Sequence, residues 1–481
     1  KGGFGTKSLD RAASMSIVGF NRHTGEPLWQ VDALHSFWHN GIVAGNGKIF
    51  ALDRNPKTVE DLLKRRGREP PKTYRIIALD ALTGSKTWEV NEGIFGTWLG
   101  YSEDHDMLLQ AGAAASDRLT AEVGQGMTVY KAADGSVAWS KSSLAYSGPC
   151  ILHNDLIITN ANAYAESAGA FYLRDGSQKM VKNPVSGRMQ PWRITRAYGC
   201  NTISASENLL TFRSGAAGYY DLLTESGTGN LGGFRSGCTS NLVAANGILN
   251  APDLTRTCSC SYQNQTSIGL VHMPELETWT IDNAAIAQKD SDRVERLGIN
   301  LGAPGDRRDS NGVPWLEFPV VAGDSPSLGI EVVGPFTTFQ DHPATMNGAQ
   351  TPWISASGVQ GLSKLRVGLK SVDSAKLSTG IPVATDADEV QVAQDPNVAR
   401  SPYRIRLYFG MPKGVGDATR QFAVSVGGDQ EPIEIELDPA KGRELVRTMD
   451  RVMLGDLLEL DFTAKRGSTL LSGVEITKLD E

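Results

Sequence analysis

Short apolar stretches alternate with polar, Gly-containing turns through the first part of the chain, and the alternation recurs. "VGFNRHTGEPLW" (18–29), "IALDALTGSKTW" (77–88) and "TVYKAADGSVAW" (128–139) each run from an apolar strand through a turn to a Trp four residues after the Gly. The pairs are Gly25–Trp29, Gly84–Trp88 and Gly135–Trp139, spaced by 59 and then 51 residues. Gly permits the positive φ that a tight hairpin needs, and the Trp ends the return strand where its ring can wedge between neighbouring sheets. A second hairpin recurs between these copies, with a polar turn before a short apolar strand: "NGKIFALD" (46–53), "HDMLLQAG" (105–112), "NDLIITNA" (154–161), "ENLLTFRS" (207–214) and "NGILNAPD" (246–253). Later Trp hairpins are degraded, as in "FYLRDGSQKMV" (171–181). Strand-only units repeating at this period predict about six propeller blades, the first and last incomplete.

Near residue 282 the pattern changes. "DNAAIAQKDSDRVERLG" is polar and reads as a linker or short helix. Beyond it, "YRIRLYFGMP" (403–412), "RQFAVSVGG" (420–428), "LLELDFTAK" (457–465) and "LLSGVEITKL" (470–479) alternate apolar and polar residues, as half-buried strands of an antiparallel sandwich do. The expected organisation is all-β: a propeller of four-stranded blades over 1–285, a linker over 286–297 and a β-sandwich over 298–481. "TVEDLLKRRGREPPKTY" (58–74) predicts a helical insertion at about 55–74 that interrupts one blade.

These residues carry two family resemblances. "ALDALTGSKTW" resembles the repeat of the pyrroloquinoline-quinone-like (PQQ-like) β-propellers, and "YGCNTI", "GGFRSGCTSNLVAANG" and "TCSCSYQNQTS" resemble a bacterial branch of PQQ-binding-like repeat proteins. The "INLG…D…G…W" element from 299, with "YRIRLYF" and "LSGVEI", resembles the malectin-like carbohydrate-binding sandwich. The first implies a secreted or periplasmic bacterial protein and about seven or eight blades in a closed ring. Blades beyond those in this sequence would then be missing, removed or supplied by another chain. The second implies a glycan or saccharide partner. "DSAKLSTGIPVATDADEVQVAQDPN" (373–397) is an insertion beyond the malectin-like pattern.

Composition narrows the classes. A net charge of −7, with no basic block beyond "KRRGRE", gives no nucleic-acid groove. No apolar run approaches the roughly 20 residues of a membrane-spanning helix. The start, "KGGFGTKSLD", has neither an initiator Met nor a signal peptide and reads as a mature product or a fragment. Five cysteines is an odd count, so they cannot all pair within one chain.

Candidate chemistry falls at repeat positions. Counting back seven residues from successive second-hairpin turns reaches His39, Trp98, Ser147 and Cys200, and eight back from Asn246 is Cys238. Those positions open the strands expected innermost in each blade, so His39, Cys200 and Cys238 would meet at the channel mouth, with Cys258 and Cys260 joining from the final blade. Thiolates and an imidazole there would suit Zn or Cu. "CSC" in a strand points its two side chains to opposite faces, so both bind one ion only at a bulge. A Cys200–Cys238 disulfide, or buried thiols without a cofactor, remain the alternatives. No adjacent Cys pair is present, which argues against pyrroloquinoline quinone itself even though Trp38, Trp98 and Trp192 could form a floor. Without C-x-x-C-H there is no c-type haem.

Other residues are candidates for binding. Arg213 and Arg235 stand among small residues, where Arg either reads an anion or ties blades together. "YSEDHD" (101–106) could be a carboxylate–His acid/base or metal cluster but, by its place after the innermost strand, reads as a solvated turn. "NQT" at 264 is a glycosylation sequon by pattern that reads as an ordinary turn if the bacterial resemblance holds. Trp315 and Trp353 are the candidate sugar-stacking indoles, with core packing as the alternative for both. The expectation is a carbohydrate- or protein-recognition module. The alternative is a metal- or redox-dependent enzyme acting on a saccharide or alcohol, with His39, Arg213 and Arg235 as its candidate catalytic groups.

Overall fold

The computed structural model describes residues 13–480 apart from 113–124, 163–164, 184, 224, 226, 232, 238–239, 254–266, 272–280, 284–292, 320–327, 347, 372–398, 413–414, 417 and 428–430. The chain is all-β, with short helices between strands. It divides into two compact units. The first comprises Lys1–Val181, Pro191–Tyr219 and Gly232–Val271; the second comprises Lys182–Gln190, Tyr220–Leu231 and His272–Glu481.

The first unit is a series of small antiparallel sheets, the larger of which pair their strands in chain order. Strands β1 (Ala13–Phe20), β2 (Pro27–Gly45), β3 (Lys48–Asp53), β4 (Arg75–Asp80) and β5 (Lys86–Val90) make one sheet. The next comprises β6 (Trp98–Ser102), β7 (Met107–Ala111), β8 (Gln125–Lys131) and β9 (Val137–Ala145). A third holds β10 (Ser147–His153), β11 (Leu156–Asn160) and β12 (Ala170–Tyr172). Further on lie β13 (Leu209–Ser214) and a sheet of β14 (Val243–Ala245), β15 (Ile248–Ala251) and β16 (Ile268–Val271). Among the described residues strands pair within each sheet, and no sheet closes on itself. Central strands such as β4, "RIIALD", are buried on both faces, which is why they read as continuous apolar runs.

The recurring Trp does wedge between sheets. Trp88 Nε1 on β5 donates to the Ala132 carbonyl after β8, at 3.0 Å, and Trp139 on β9 donates to Leu173 after β12, at 2.8 Å. Within the first sheet Trp29 bonds the Ala81 carbonyl in the same way, at 3.1 Å. Each ring lies on the Gly of the following copy: a Cβ at Gly84, Gly135 or Gly176 would stand 2.6, 2.8 or 2.9 Å from the indole. Those glycines also hold φ of +70° to +75°, so one residue makes the turn and seats the neighbour's Trp.

The insertion is helix α1 (Lys57–Arg65), between β3 and β4. The chain then returns to Tyr74, whose hydroxyl donates to Glu60 while the Arg54 guanidinium lies over its ring, 5.1 Å from the centroid. Burial, then the Glu60 bond, pushes the Tyr74 hydroxyl above the ordinary tyrosine range.

The second unit is a two-sheet sandwich. One sheet has the order β18-β19-β17-β27-β22-β25, from β17 (Arg296–Leu301), β18 (Arg307–Arg308), β19 (Pro314–Phe318), β22 (Ser401–Gly410), β25 (Glu444–Leu454) and β27 (Gly473–Lys478). Only β17 and β19 pair in parallel within it. The other sheet runs β20-β21-β26-β23-β24, from β20 (Leu328–Val333), β21 (Lys364–Ser371), β23 (Arg420–Val426), β24 (Ile433–Leu437) and β26 (Leu457–Arg466). The period-2 alternation sends Ile405, Leu407, Phe409, Val474 and Ile476 of the first sheet against Leu365, Val367, Phe422, Leu458 and Leu460 of the second. Val185, from the short segment 182–190, joins that core, and its carbonyl accepts the Glu295 N–H at 2.7 Å.

The outer face of the second sheet carries an ion network. Glu459 receives bonds of 2.8 Å from both Lys364 and Arg366, which hold its carboxyl below the usual carboxylate range. A depressed folded pKa contributes stability above the unfolded value of about 4.3, and that contribution disappears as pH falls through the folded value. Between about pH 5 and 3, wild type is therefore expected to lose more stability than Glu459→Gln. Urea midpoints measured at stepped pH test this; parallel losses in the two proteins would refute it.

Candidate functional site

The six-stranded sheet turns one face to the core, and its other face is divided in two. Strand register fixes how. Gly298 on β17 stands opposite both Trp315 on β19 and Glu475 on β27; Glu475 stands opposite Arg406 on β22, and Arg406 opposite Thr448 on β25. One level along, Arg296, Thr477 and Arg404 face one another across β17, β27 and β22. These positions share the outward phase, so five strands remote in sequence build one continuous outer surface.

Aromatic packing covers one half of that surface. With only hydrogen at Gly298, the Trp315 indole lies directly on the strand, where a Cβ would come within 2.1 Å of the ring. Trp353, from helix α2 (Pro352–Ser355), meets Trp315 edge-on at 5.5 Å, and Tyr408 does so at 5.3 Å. With Val313 and Ile354 these rings form a small second core.

The other half is an open depression of about 400 Å³ lined by Arg296, Arg404, Arg406, Thr448, Asp450, Glu475 and Thr477. Tyr408 joins the halves: its ring belongs to the aromatic cluster, its hydroxyl donates to Glu475 at 3.0 Å, and the Arg406 guanidinium lies 5.4 Å from its centroid. Burial, then the Glu475 charge, raises the Tyr408 hydroxyl above its ordinary range, so it remains a proton donor. Glu475 is buried and binds Arg406 at 3.1 Å, with Arg296 at 3.6 Å, while Arg404 binds Asp450 at 2.5 Å. The side chains of Arg404 and Arg406 are 47% and 39% exposed, so both forks are reachable from solvent. Fixed guanidinium donors, two hydroxyls and carboxylate acceptors beside an aromatic edge can bind a polyhydroxylated ligand by hydrogen bonds.

The residues singled out in the sequence lie elsewhere or serve packing. Trp315 is 1% exposed and Trp353 9%, and Arg307 covers the Trp353 ring at 4.7 Å. Neither indole presents an open ring face, because each is packed by the other and by its neighbours. His39 is exposed on β2 and pairs with the Ser14 hydroxyl at 2.7 Å. Cys200 is a half-buried free thiol. Its carbonyl accepts from Arg196, which also bonds the carbonyls of Arg213 and Asn201 at 2.7 Å. Cys238, Cys258 and Cys260 lie outside the described residues, and the proposed meeting of sulfurs therefore lies outside them too. Among the described residues no three His, Cys, Asp or Glu side chains are placed to hold a metal ion.

Arg213 is buried on β13 over the Tyr198 ring, 5.1 Å from its centroid, and bonds the Gly215 carbonyl at 3.4 Å. Arg235 is buried and donates to the Ser236 carbonyl at 2.9 Å. In "YSEDHD", Glu103 and Asp104 are exposed, but Asp106 is tied to Lys48 at 2.8 Å and to the Tyr101 hydroxyl at 2.6 Å, so part of the turn links neighbouring sheets. The fifth cysteine, Cys150, is fully enclosed, and burial pushes its thiol far above the usual range, which leaves it inert.

The depression itself was missed in the sequence. The available signal was the charged outward phase of "YRIRLYF" and "GVEITK", which places Arg404, Arg406, Glu475 and Thr477 away from the core; the strand pairing that unites them is not encoded locally.

No family model and no curated protein matches this chain. Solved structures similar to it include a β-glucuronidase of Bacteroides uniformis, at 17% identity and a TM-score of 0.26, covering 38% of this chain and 18% of that one. A plant receptor-like kinase, FER, matches at 14% identity and a TM-score of 0.25, over 39% of this chain and 43% of that one. BamB from Moraxella catarrhalis matches at 16% identity and a TM-score of 0.25, over 50% of this chain and 73% of that one. Among the described residues no helix is long and apolar enough to cross a membrane.

Proposed function

We propose that this protein is a secreted or periplasmic carbohydrate-recognition protein. Its second unit, a malectin-like sandwich, offers the depression on the six-stranded sheet to a saccharide. Its first unit, with Trp–Gly docked sheets, is a segment of a PQQ-like propeller. The observation that carries the reading is the divided outer face: a polar, hydroxyl- and guanidinium-lined hollow built against a rigid aromatic cluster. Both carboxylates in the hollow are bound by arginine. Such pairs hold the guanidinium forks in fixed orientations toward the hollow, an arrangement suited to recognition.

An oligosaccharide array probed with the whole protein, followed by calorimetry on each hit, tests the proposal. Wild type is expected to bind at least one saccharide class, and Arg406→Ala to weaken that binding by about tenfold or more. Binding untouched by Arg406→Ala, or no saccharide bound at all, would overturn the assignment.

A further inference from the structure

Resting on the saccharide reading of the depression, we infer that the sugar it takes carries an oxyanion, a ring carboxylate or a sulfate ester, gripped by Arg404 and Arg406 with Arg296 beside them. Three guanidinia line the hollow against two carboxylates. The carboxylates are already engaged: Asp450 by Arg404 Nε, and Glu475 by Arg406 and the Tyr408 hydroxyl. Among the described residues each of Arg404 and Arg406 makes a single hydrogen bond to the protein, through one nitrogen. Among the described residues Arg296 Nε is buried without an acceptor, its Nη1 reaches the Asn311 carbonyl at 3.4 Å, and its Nη2 stands 3.6 Å from Glu475.

The hollow thus has a surplus of planar N–H donors and of positive charge on a rigid sheet. A neutral sugar hydroxyl accepts such a bond weakly. A carboxylate or sulfate adds charge–charge attraction, and its paired oxygens fit the guanidinium fork bidentately. Arg404 and Arg406 are two residues apart on β22, hence on the same face and one pleat repeat apart, about 7 Å. A single anionic sugar ring can meet both, while the Thr448 and Thr477 hydroxyls, on the strands flanking β22, receive its neutral oxygens. Glu475 acts as a positioning residue: it fixes the Arg406 fork on the buried side and leaves its other nitrogens facing the hollow.

The test is calorimetry on the full chain with matched ligands: an oligouronate, its methyl ester, its carboxyl-reduced neutral form, and a sulfated glycan with its desulfated counterpart. The oligouronate or the sulfated glycan is expected to bind about tenfold or more tightly than its neutralised partner, and affinity should fall with added salt. Preference for one of the two anions identifies the source of the oxyanion. Arg404→Gln and Arg406→Gln should each remove most of that preference, and Arg406→Lys should restore part of it, because the charge returns without the fork. Circular dichroism of the same variants checks that the sheet is intact. Equal affinity for the charged and neutralised ligands would overturn the oxyanion inference and leave saccharide recognition standing. Failure of every saccharide would remove both. Inorganic sulfate that binds as tightly as the glycans would reduce the site to an ion site and also refute the inference.

Discussion

Asp53→Ala should lower the unfolding free energy of the first unit by about 3–5 kcal/mol, the loss expected when one member of a buried charge pair is removed. Asp53 ends β3 and is wholly buried. Its carboxylate accepts the backbone N–H groups of Leu34, His35 and Ser36 at 2.7, 2.8 and 2.9 Å, and Arg75 Nε at 2.8 Å. The three backbone donors have a reason to need it. Strand β2 pairs with β1 up to Asp32 and again from Phe37, and with β3 only from Phe37 onward, so Leu34–Ser36 fall in the gap of the first ladder and beyond the end of the second. One side chain substitutes there for a missing strand. Alanine would leave three backbone donors and Arg75 Nε without an acceptor, with Arg75 held only by Glu89 at 3.2 Å, and each unsatisfied group carries a desolvation cost. Asp53→Asn, which keeps an acceptor oxygen and loses the charge, should fall between the two. Urea denaturation followed by Trp fluorescence measures the effect; a loss below about 1 kcal/mol would falsify the role given to this carboxylate.

The second large effect is expected from Gly298→Val, at about 3 kcal/mol, the upper range for overpacking a rigid site. The added side chain would overlap the Trp315 ring, and the ring has no room to retreat because Trp353 and Tyr408 hold it edge-on. The indole must leave the sheet, and the aromatic cluster opens with it. Near-ultraviolet circular dichroism should lose the signal of these packed rings, and saccharide binding should weaken because Tyr408 no longer anchors Glu475. Unchanged stability together with an unchanged near-ultraviolet spectrum would show that Trp315 is not seated on Gly298.

What the sequence made legible follows from which interactions are local. The Gly–Trp hairpins are short-range, so their strands, their turns and even the wedging of Trp88 and Trp139 could be read from spacing. The sandwich strands were legible for the same reason: alternation in "YRIRLYF" is a property of one segment. The hollow was not, because it joins residues 296, 404, 406, 448, 450, 475 and 477 through strand order and register, which no single segment encodes. Trp315 and Trp353 show the reverse difficulty. An indole in a sandwich reads alike whether it faces a sugar or another indole, and here the second indole decides it.

The Trp–Gly docking of the first unit has a consequence beyond packing. The first sheet is keyed to the second by Trp88 on Gly135 and the second to the third by Trp139 on Gly176, beside shared apolar packing, so the coupling runs between neighbours and has a direction along the chain. Stability in such a stack behaves as a line of linked units rather than a single block. A sheet held on both sides must break two keys to open, and a sheet held on one side must break one. Local melting therefore begins at the less-keyed sheets and travels inward, and substitution of Gly135 or Gly176 weakens the link between the lengths on either side of it.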